Sequence, residues 1–190
     1  KPPTAGTDVF AVTNPTSSGT WTVTAGFPID SSWYGGRSNS DKWYIADRLR
    51  GDNLIKPNIQ DGEFGVSFTI DFDLMTQLSL TGVSGDYSGQ ISYCFKRASG
   101  FFDVATFTGT GSARTVNHNL EAVPELMFVK KRSGYDSWAV YNKVSGATKY
   151  NTLQRRGDYT SSALWNDTAP TSTVFTVGTE AMVNQSGHES

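Results

Sequence analysis

Asp71 and Asp73 stand two residues apart, with Asp61 and Glu63 just upstream. Paired carboxylates at short range are the equipment of glycoside hydrolysis. On a strand, however, residues i and i+2 share a face, and a solvent-facing strand surface has this composition without any catalytic role. We read these acids as a polar face. His118, His188 and the single Cys94 are the strongest metal-binding side chains. Two imidazoles and one thiol cannot close a structural zinc site without carboxylates. Calcium held by Asp71 and Asp73 would need a loop of the EF-hand kind, and the sequence has none. Ser186-Gly187-His188 lacks the context of a nucleophile elbow. Gly109-Thr110-Gly111 lacks the lysine and helix of a phosphate loop. The expectation is a chain that is not an enzyme, with no catalytic residue, no metal and no cofactor.

Recognition chemistry is better represented. Aromatic residues make up 13% of the chain, and several Trp and Tyr lie beside turns and polar neighbours. Ring faces stack on sugars or apolar partners while polar tips hydrogen-bond. On this ground Trp33, Tyr34, Tyr135 and Trp165 are the expected ligand-binding residues, and a cell-surface glycan is the expected ligand class.

Trp43 and Trp138 are set apart by a repeat. Arg37-Ser38-Asn39-Ser40-Asp41-Lys42-Trp43 and Arg132-Ser133-Gly134-Tyr135-Asp136-Ser137-Trp138 lie 95 residues apart and share Arg, Ser, Asp and Trp. Asp47-Arg48-Leu49-Arg50-Gly51 and Asn142-Lys143-Val144-Ser145-Gly146 follow at the same offset. Asp8-Val9 matches Asp103-Val104, Thr13 matches Thr108, and Thr20 matches Thr115. A fixed period is the mark of a repeat architecture. We expect two related units of about 95 residues, 8–99 and 100–190, after a lead-in at 1–7. Trp43 and Trp138, at equivalent positions, then read as core anchors.

Late in the first unit Leu78-Ser79-Leu80-Thr81-Gly82 corresponds to Val174-Phe175-Thr176-Val177-Gly178, and Ser88-Gly89 to Ser186-Gly187. The first unit then continues into Gln90 to Arg97, β-branched and aromatic. The second reaches Ser190 before an equivalent strand, so it is expected to lack its last strand. A sheet short of a strand presents an edge that pairs with other chains. Strand completion at the C-terminal edge, by self-association or by other proteins of the same assembly, is the expected partnership.

Net charge is −2. That excludes the basic field needed for nucleic acid or an anionic membrane. Lys130-Lys131-Arg132 and Arg155-Arg156 read as solvated charges at strand ends or turns. No apolar run has the length of a membrane span, so no membrane insertion is expected. Cys94 stands alone and reads as a buried thiol.

The elements that must carry these residues are strands. Thr20 to Thr24 alternates, with Trp21 and Val23 on one face. Gly65 to Leu74 alternates throughout, with Val66, Phe68, Ile70, Phe72 and Leu74 together, and predicts a half-buried antiparallel strand. Leu126 to Val129 is continuously apolar and predicts a strand buried on both faces. Trp43 to Leu49 reads as a hairpin strand, with a short helix as the alternative. Asn14 to Gly19 is a turn cluster. No 3.6-residue period is sustained. The fold class is all-β, an antiparallel, jelly-roll-like β-sandwich.

Gly100 to Gly111, Asn119 to Lys130, Trp138 to Tyr141, Gly146 to Tyr150, Trp165 to Thr171 and Val183 to Gly187 together resemble a repeat domain of virion structural proteins of marine bacteriophages, cyanophages included. The resemblance covers 100–187 well and 8–97 only through Arg-Ser-x-x-Asp-x-Trp and its flanking Gly. It implies a virion location and a structural role in a tail fibre or similar appendage, with host attachment and assembly as an oligomer. It supplies no catalytic residue. A lectin-like carbohydrate-binding module and a capsid decoration protein are the alternative readings.

Overall fold

The computed structural model describes residues 2–15, 20–37, 43–83, 89–154, 157 and 159–190. The turn residues 16–19, the interior of the first motif copy (38–42), Ser88, Arg155 and Arg156 lie outside the described residues. The chain divides into two compact units. Unit 1 is Lys1–Lys56 with Glu63–Phe102, and unit 2 is Pro57–Gly62 with Asp103–Ser190.

The protein is all-β and its strand pairs are antiparallel. In unit 1 the strands are β1 (Phe10–Thr13), β2 (Thr20–Thr24), β3 (Ser31–Gly36), β4 (Trp43–Asp47), β5 (Asn53–Leu54), β6 (Phe64–Gly65), β7 (Thr69–Asp71), β8 (Gln77–Thr81) and β9 (Gln90–Phe95). They form sheets in the orders β1-β9-β3-β4, β2-β8-β7 and β5-β6. Trp43 to Asp47 is thus strand rather than helix, as its hairpin reading expects.

Two-residue alternation sorts the side chains of unit 1. Trp21 and Val23 of β2 and Leu78 and Leu80 of β8 turn inward. So do Tyr34 of β3, Ala46 of β4 and Cys94 of β9. Phe27, Ile29, Leu54, Ile70 and Phe72 complete this core. Each large apolar side chain so buried contributes about 1.5–3 kcal/mol. Polar atoms inside are paired. The Trp21 indole N–H donates to Gln90 Oε1 at 3.1 Å, and the Ser32 and Ser92 hydroxyls bond each other at 2.7 Å. Burial pushes the Cys94 thiol pKa up, so the thiol stays protonated and inert.

Unit 2 contains β10 (Arg114–Asn117), β11 (Leu126–Val129), β12 (Ala139–Asn142), β13 (Lys149–Thr152), β14 (Thr160–Ser161), β15 (Val174–Val177) and one turn of α-helix, α1 (Ala181–Asn184). Its sheets run β11-β12-β13-β14 and β10-β15. Thr108 forms an isolated bridge with Glu189. The core is Val116, Val129, Ala139, Tyr141, Ala147, Leu164, Trp165, Phe175, Val177 and Val183. Asn184 is fully buried. Its amide donates to the carbonyls of Ser112 and Gly178, both at 2.7 Å, and accepts from Thr110 N–H at 2.9 Å. One side chain thereby satisfies three backbone groups that a sheet ladder does not reach.

Two expected strands are corrected. Gly65 to Leu74 keeps its alternation of burial but is not one strand: Gly65 pairs with Asn53 of β5, and Thr69–Asp71 pairs with β8. The chain bends at Ser67 and Phe68. The Asp71 carboxylate accepts the Asp73 N–H at 2.8 Å, a local bond that replaces the ladder. Leu126–Val129 is not buried on both faces, since Leu126 is 52% exposed and only Val129 is buried.

Gly178 is required by close approach: a Cβ there would run into the Ala163 carbonyl oxygen. Gly178→Ala should cost about 1–3 kcal/mol, read from the urea midpoint. An unchanged midpoint would mean that the Ala163 turn is free to give way.

Candidate functional site

Of the recognition residues expected from sequence, Trp33 and Tyr34 belong to unit 1 and Tyr135 and Trp165 to unit 2. Trp33 and Tyr34 are consecutive on β3 and point to opposite faces. Trp33 lies half-buried on the outer face, edge-on to Phe95 at 6.4 Å. Tyr34 is a core residue, its ring 4.9 Å from Trp21 and 5.5 Å from Tyr44. Trp165 is 1% exposed. Its indole N–H donates to the Lys149 carbonyl at 3.2 Å, and its ring meets Tyr141 edge-on at 5.9 Å. Both rings are covered, so the expectation that Tyr34 and Trp165 present their faces to a ligand is corrected. Trp165 looked exposed because polar Asn166 and Asp167 follow it. Those two take positive φ, +51° and +49°, and carry the chain away while Leu164 and Trp165 turn inward. Trp138 is buried, whereas Trp43 is half-buried and stacks on Tyr93 at 5.9 Å. Trp33, Trp43 and Tyr93 share the outer face through their register, so Trp43 is not a core anchor.

Tyr135 is different. It is 69% exposed, at the apex of a turn fastened from three stretches of unit 2. Past β11 the chain enters Lys130 and Lys131, both buried. Gly134, at φ +82°, makes the reversal that few side chains tolerate. From the first stretch, Gln60 accepts the Asp136 N–H at 2.9 Å and donates to Ser137 Oγ at 2.7 Å. Gly62 lies against the turn so closely that a Cβ there would stand 2.6 Å from the Arg132 oxygen. From the C-terminal stretch, Gln185 accepts from Lys131 Nζ at 2.8 Å, and Glu189 pairs with Arg132 at 2.6 Å. His188 Nδ1 bonds Ser133 Oγ at 2.6 Å. Within the turn, Asp136 pairs with Lys131 at 3.1 Å and caps the Ser137 N–H. The result is an exposed phenol ring on a turn whose base is tied down.

The other chemistry is accounted for locally. Asp73 pairs with Arg48 at 2.7 Å, and Asp71 caps its own turn. His118 is held by the Thr171 carbonyl and the Leu120 N–H. Among the described residues no three His, Cys, Asp or Glu side chains are grouped to hold a metal. His188 bonds Ser133, not its sequence neighbour Ser186. Among the described residues no carboxylate hydrogen-bonds the other nitrogen of His188.

Burial drives the Lys130 pKa down to about 8, with Lys131 adding to the fall and Asp136 and Asp61 opposing it. Its ammonium donates to the Lys131 carbonyl at 2.8 Å. Sequence reading placed these lysines in solvent. The missed signal is that they directly continue the apolar run Leu126 to Val129.

These features define a class: all-β chains of short antiparallel strands, with one apolar core per unit. Within it, the chain belongs to the family described as a domain of unknown function, DUF7483, whose model matches residues 77–189. The match takes in β8, β9 and Asp103–Glu189 of unit 2. No curated protein and no solved structure matches the chain significantly.

A lysine whose folded pKa lies below its unfolded value of 10.5 binds its proton less well in the folded state. Its contribution therefore makes the protein more stable as pH rises from about 8 to 10.5. Lys130→Met should flatten this rise in urea unfolding at pH 7, 9 and 10.5, and an identical slope in the variant would refute the assignment. Trp165→Ala should cost about 3–5 kcal/mol, while Tyr135→Ala should stay within about 0.5 kcal/mol. Calorimetry separates the two.

Proposed function

We propose that this chain is a non-enzymatic structural module of a bacteriophage virion, part of a tail fibre or similar appendage. In this reading it is a tandem of two copies of one β-sandwich module, and it presents the Tyr135 turn to a host-surface glycan. The virion setting rests on the sequence resemblance over 100–187.

One observation carries the tandem: the turn after the second hairpin strand is built with the same side-chain chemistry at the same offset in both units. Asp47 Oδ1 accepts the Leu49 N–H at 3.0 Å, and Asn142 Oδ1 accepts the Val144 N–H at 2.8 Å. Arg48 N–H donates to the Asp30 carbonyl, and Lys143 N–H to the Glu125 carbonyl, both at 2.9 Å. The same side chains form ion pairs, Arg48–Asp30 at 3.3 Å and Lys143–Glu125 at 3.1 Å. Gly51 and Gly146 close the turns at φ +60° and +77°. Strand pairings agree as well. The β3–β4, β2–β8 and β5–β6 pairs correspond to β11–β12, β10–β15 and β13–β14. In unit 1 the core draws on both larger sheets, which supports a sandwich.

Tyr135 supports the recognition half of the reading. A large exposed ring on a fully fastened turn pays little ordering entropy on contact.

Three measurements test the reading. Exchanging Asp47–Gly51 for the sequence of Asn142–Gly146 should leave folding intact, with a loss of less than about 1.5 kcal/mol; a chain that no longer folds would count against two copies of one module. Binding to a panel of bacterial surface glycans should be saturable and should disappear in Tyr135→Ala. A blank panel with folded protein removes the glycan. Mass spectrometry of purified particles from the source should find the chain in the virion, and its absence there removes the appendage.

A further inference from the structure

We propose that Lys131 and Gln185 join in an intramolecular isopeptide bond, which the protein forms by itself with Asp136 as the proton carrier. The bond makes the base of the Tyr135 turn covalent, whatever that turn binds.

Three side chains of unit 2 meet at one nitrogen. Lys131 Nζ donates to Gln185 Oε1 at 2.8 Å and stands 3.1 Å from Asp136 Oδ2. Lys131 is buried, and Gln185 and Asp136 are half-buried. An amine, a carboxamide and a carboxylate in mutual reach are the parts of an acyl transfer: nucleophile, acyl group and base. A lysine becomes a nucleophile when it is desolvated or placed beside a second cation. Lys131 meets both conditions, with Lys130 as the second cation. Burial already loosens the Lys130 proton, and the ammonium of Lys130 is engaged elsewhere, on the Lys131 carbonyl at 2.8 Å.

The reacting groups are held by the main chain around them. Arg132 N–H, next to Lys131, donates to the Glu189 carbonyl at 2.8 Å. The Gln185 carbonyl accepts the His188 N–H at 3.1 Å and lies so close to Gly109 that a Cβ there would run into it. Asp136 accepts the Ser137 N–H through its other oxygen at 2.9 Å, and its own N–H donates to the Gln60 carbonyl at 2.9 Å. Groups fixed in contact react at effective concentrations that reach about 10⁵ M or more.

The step balances without an oxidant or a second reactant. Asp136 takes a proton from the Lys131 ammonium. Nζ then bonds to Gln185 Cδ, and the Cδ–Nε2 bond breaks. Nε2 leaves as ammonia, carrying its own two hydrogens and one from Nζ. Asp136 returns its proton to the departing ammonia, which goes as ammonium. At the 95-residue offset unit 1 has Gly36 in place of Lys131, so the same bond is not available there.

The test is intact-mass spectrometry of the purified, denatured chain. It should read about 17 Da below the mass of the sequence, the ammonia lost, and fragment spectra should place the link between the peptides that hold Lys131 and Gln185. Lys131→Met should return the full mass. Gln185→Glu should end at the mass of the bonded natural chain, because water leaves in place of ammonia, and this variant keeps the shape of the site. A natural chain that stays at full mass after prolonged incubation, with Lys131 open to acetylation once unfolded, overturns the proposal. A loss of about 17 Da that persists in Lys131→Met overturns it as well. Asp136→Asn should leave most chains at full mass, and a bond formed to the same extent in that variant overturns the role of Asp136.

Discussion

Taking two neighbouring ammonium groups out of water is the constraint on which the exposed end of unit 2 depends. Lys130 and Lys131 are 5% and 8% exposed. A buried cation is tolerated only when charged and dipolar partners surround it. Here the partners come from separate parts of the chain: Asp136 across the turn, Gln185 after α1, the Lys131 carbonyl itself, and Asp61 from the Pro57–Gly62 stretch. Losing one of them leaves charge stranded, so the stretches are held cooperatively. The shape of the turn and the projection of Tyr135 follow from this.

The fold was legible in sequence where alternation and turn chemistry agree. Trp21 and Val23 turn inward together as their spacing implies, and Trp43 to Asp47 pairs as a hairpin strand. It was not legible where a side chain competes with the ladder. The Asp71 carboxylate takes the Asp73 N–H, and an alternating ten-residue pattern pairs only at Gly65 and at Thr69–Asp71. Of the four candidate rings, the exposure of Tyr135 was readable, as a large ring beside Gly134 in a polar turn. Tyr34 and Trp165 were misplaced for one physical reason: polar neighbours describe the path of the chain, not the direction of the ring. The lysine partners come from sequence separations of up to 69 residues, which no local pattern encodes.

Strand β9 shows a second limit of composition. Its small residues Ser92 and Cys94 face the core, and its large ones, Ile91, Tyr93 and Phe95, face outward. Core volume near β9 is supplied instead by Trp21 and Tyr34, whose rings pack at 4.9 Å. The outward rings pack among themselves, Phe95 with Phe10 at 5.2 Å and with Phe102 at 5.0 Å. Hydrophobicity alone assigns these residues to the interior, and only the sizes of their neighbours reverse it.

Val144 stands at the tip of the turn between β12 and β13 and is 96% exposed. Its backbone N–H is held by Asn142, and Gly146 closes the turn behind it. The turn therefore keeps its shape without any help from the side chain at its tip. A position fixed in backbone and free in side chain is where a sequence can diversify, or receive added residues, without disturbing the sheet beneath. The scaffold thereby separates what must stay constant for folding from what is open to change, and a lineage of such modules could vary its outer surface while its cores stay alike.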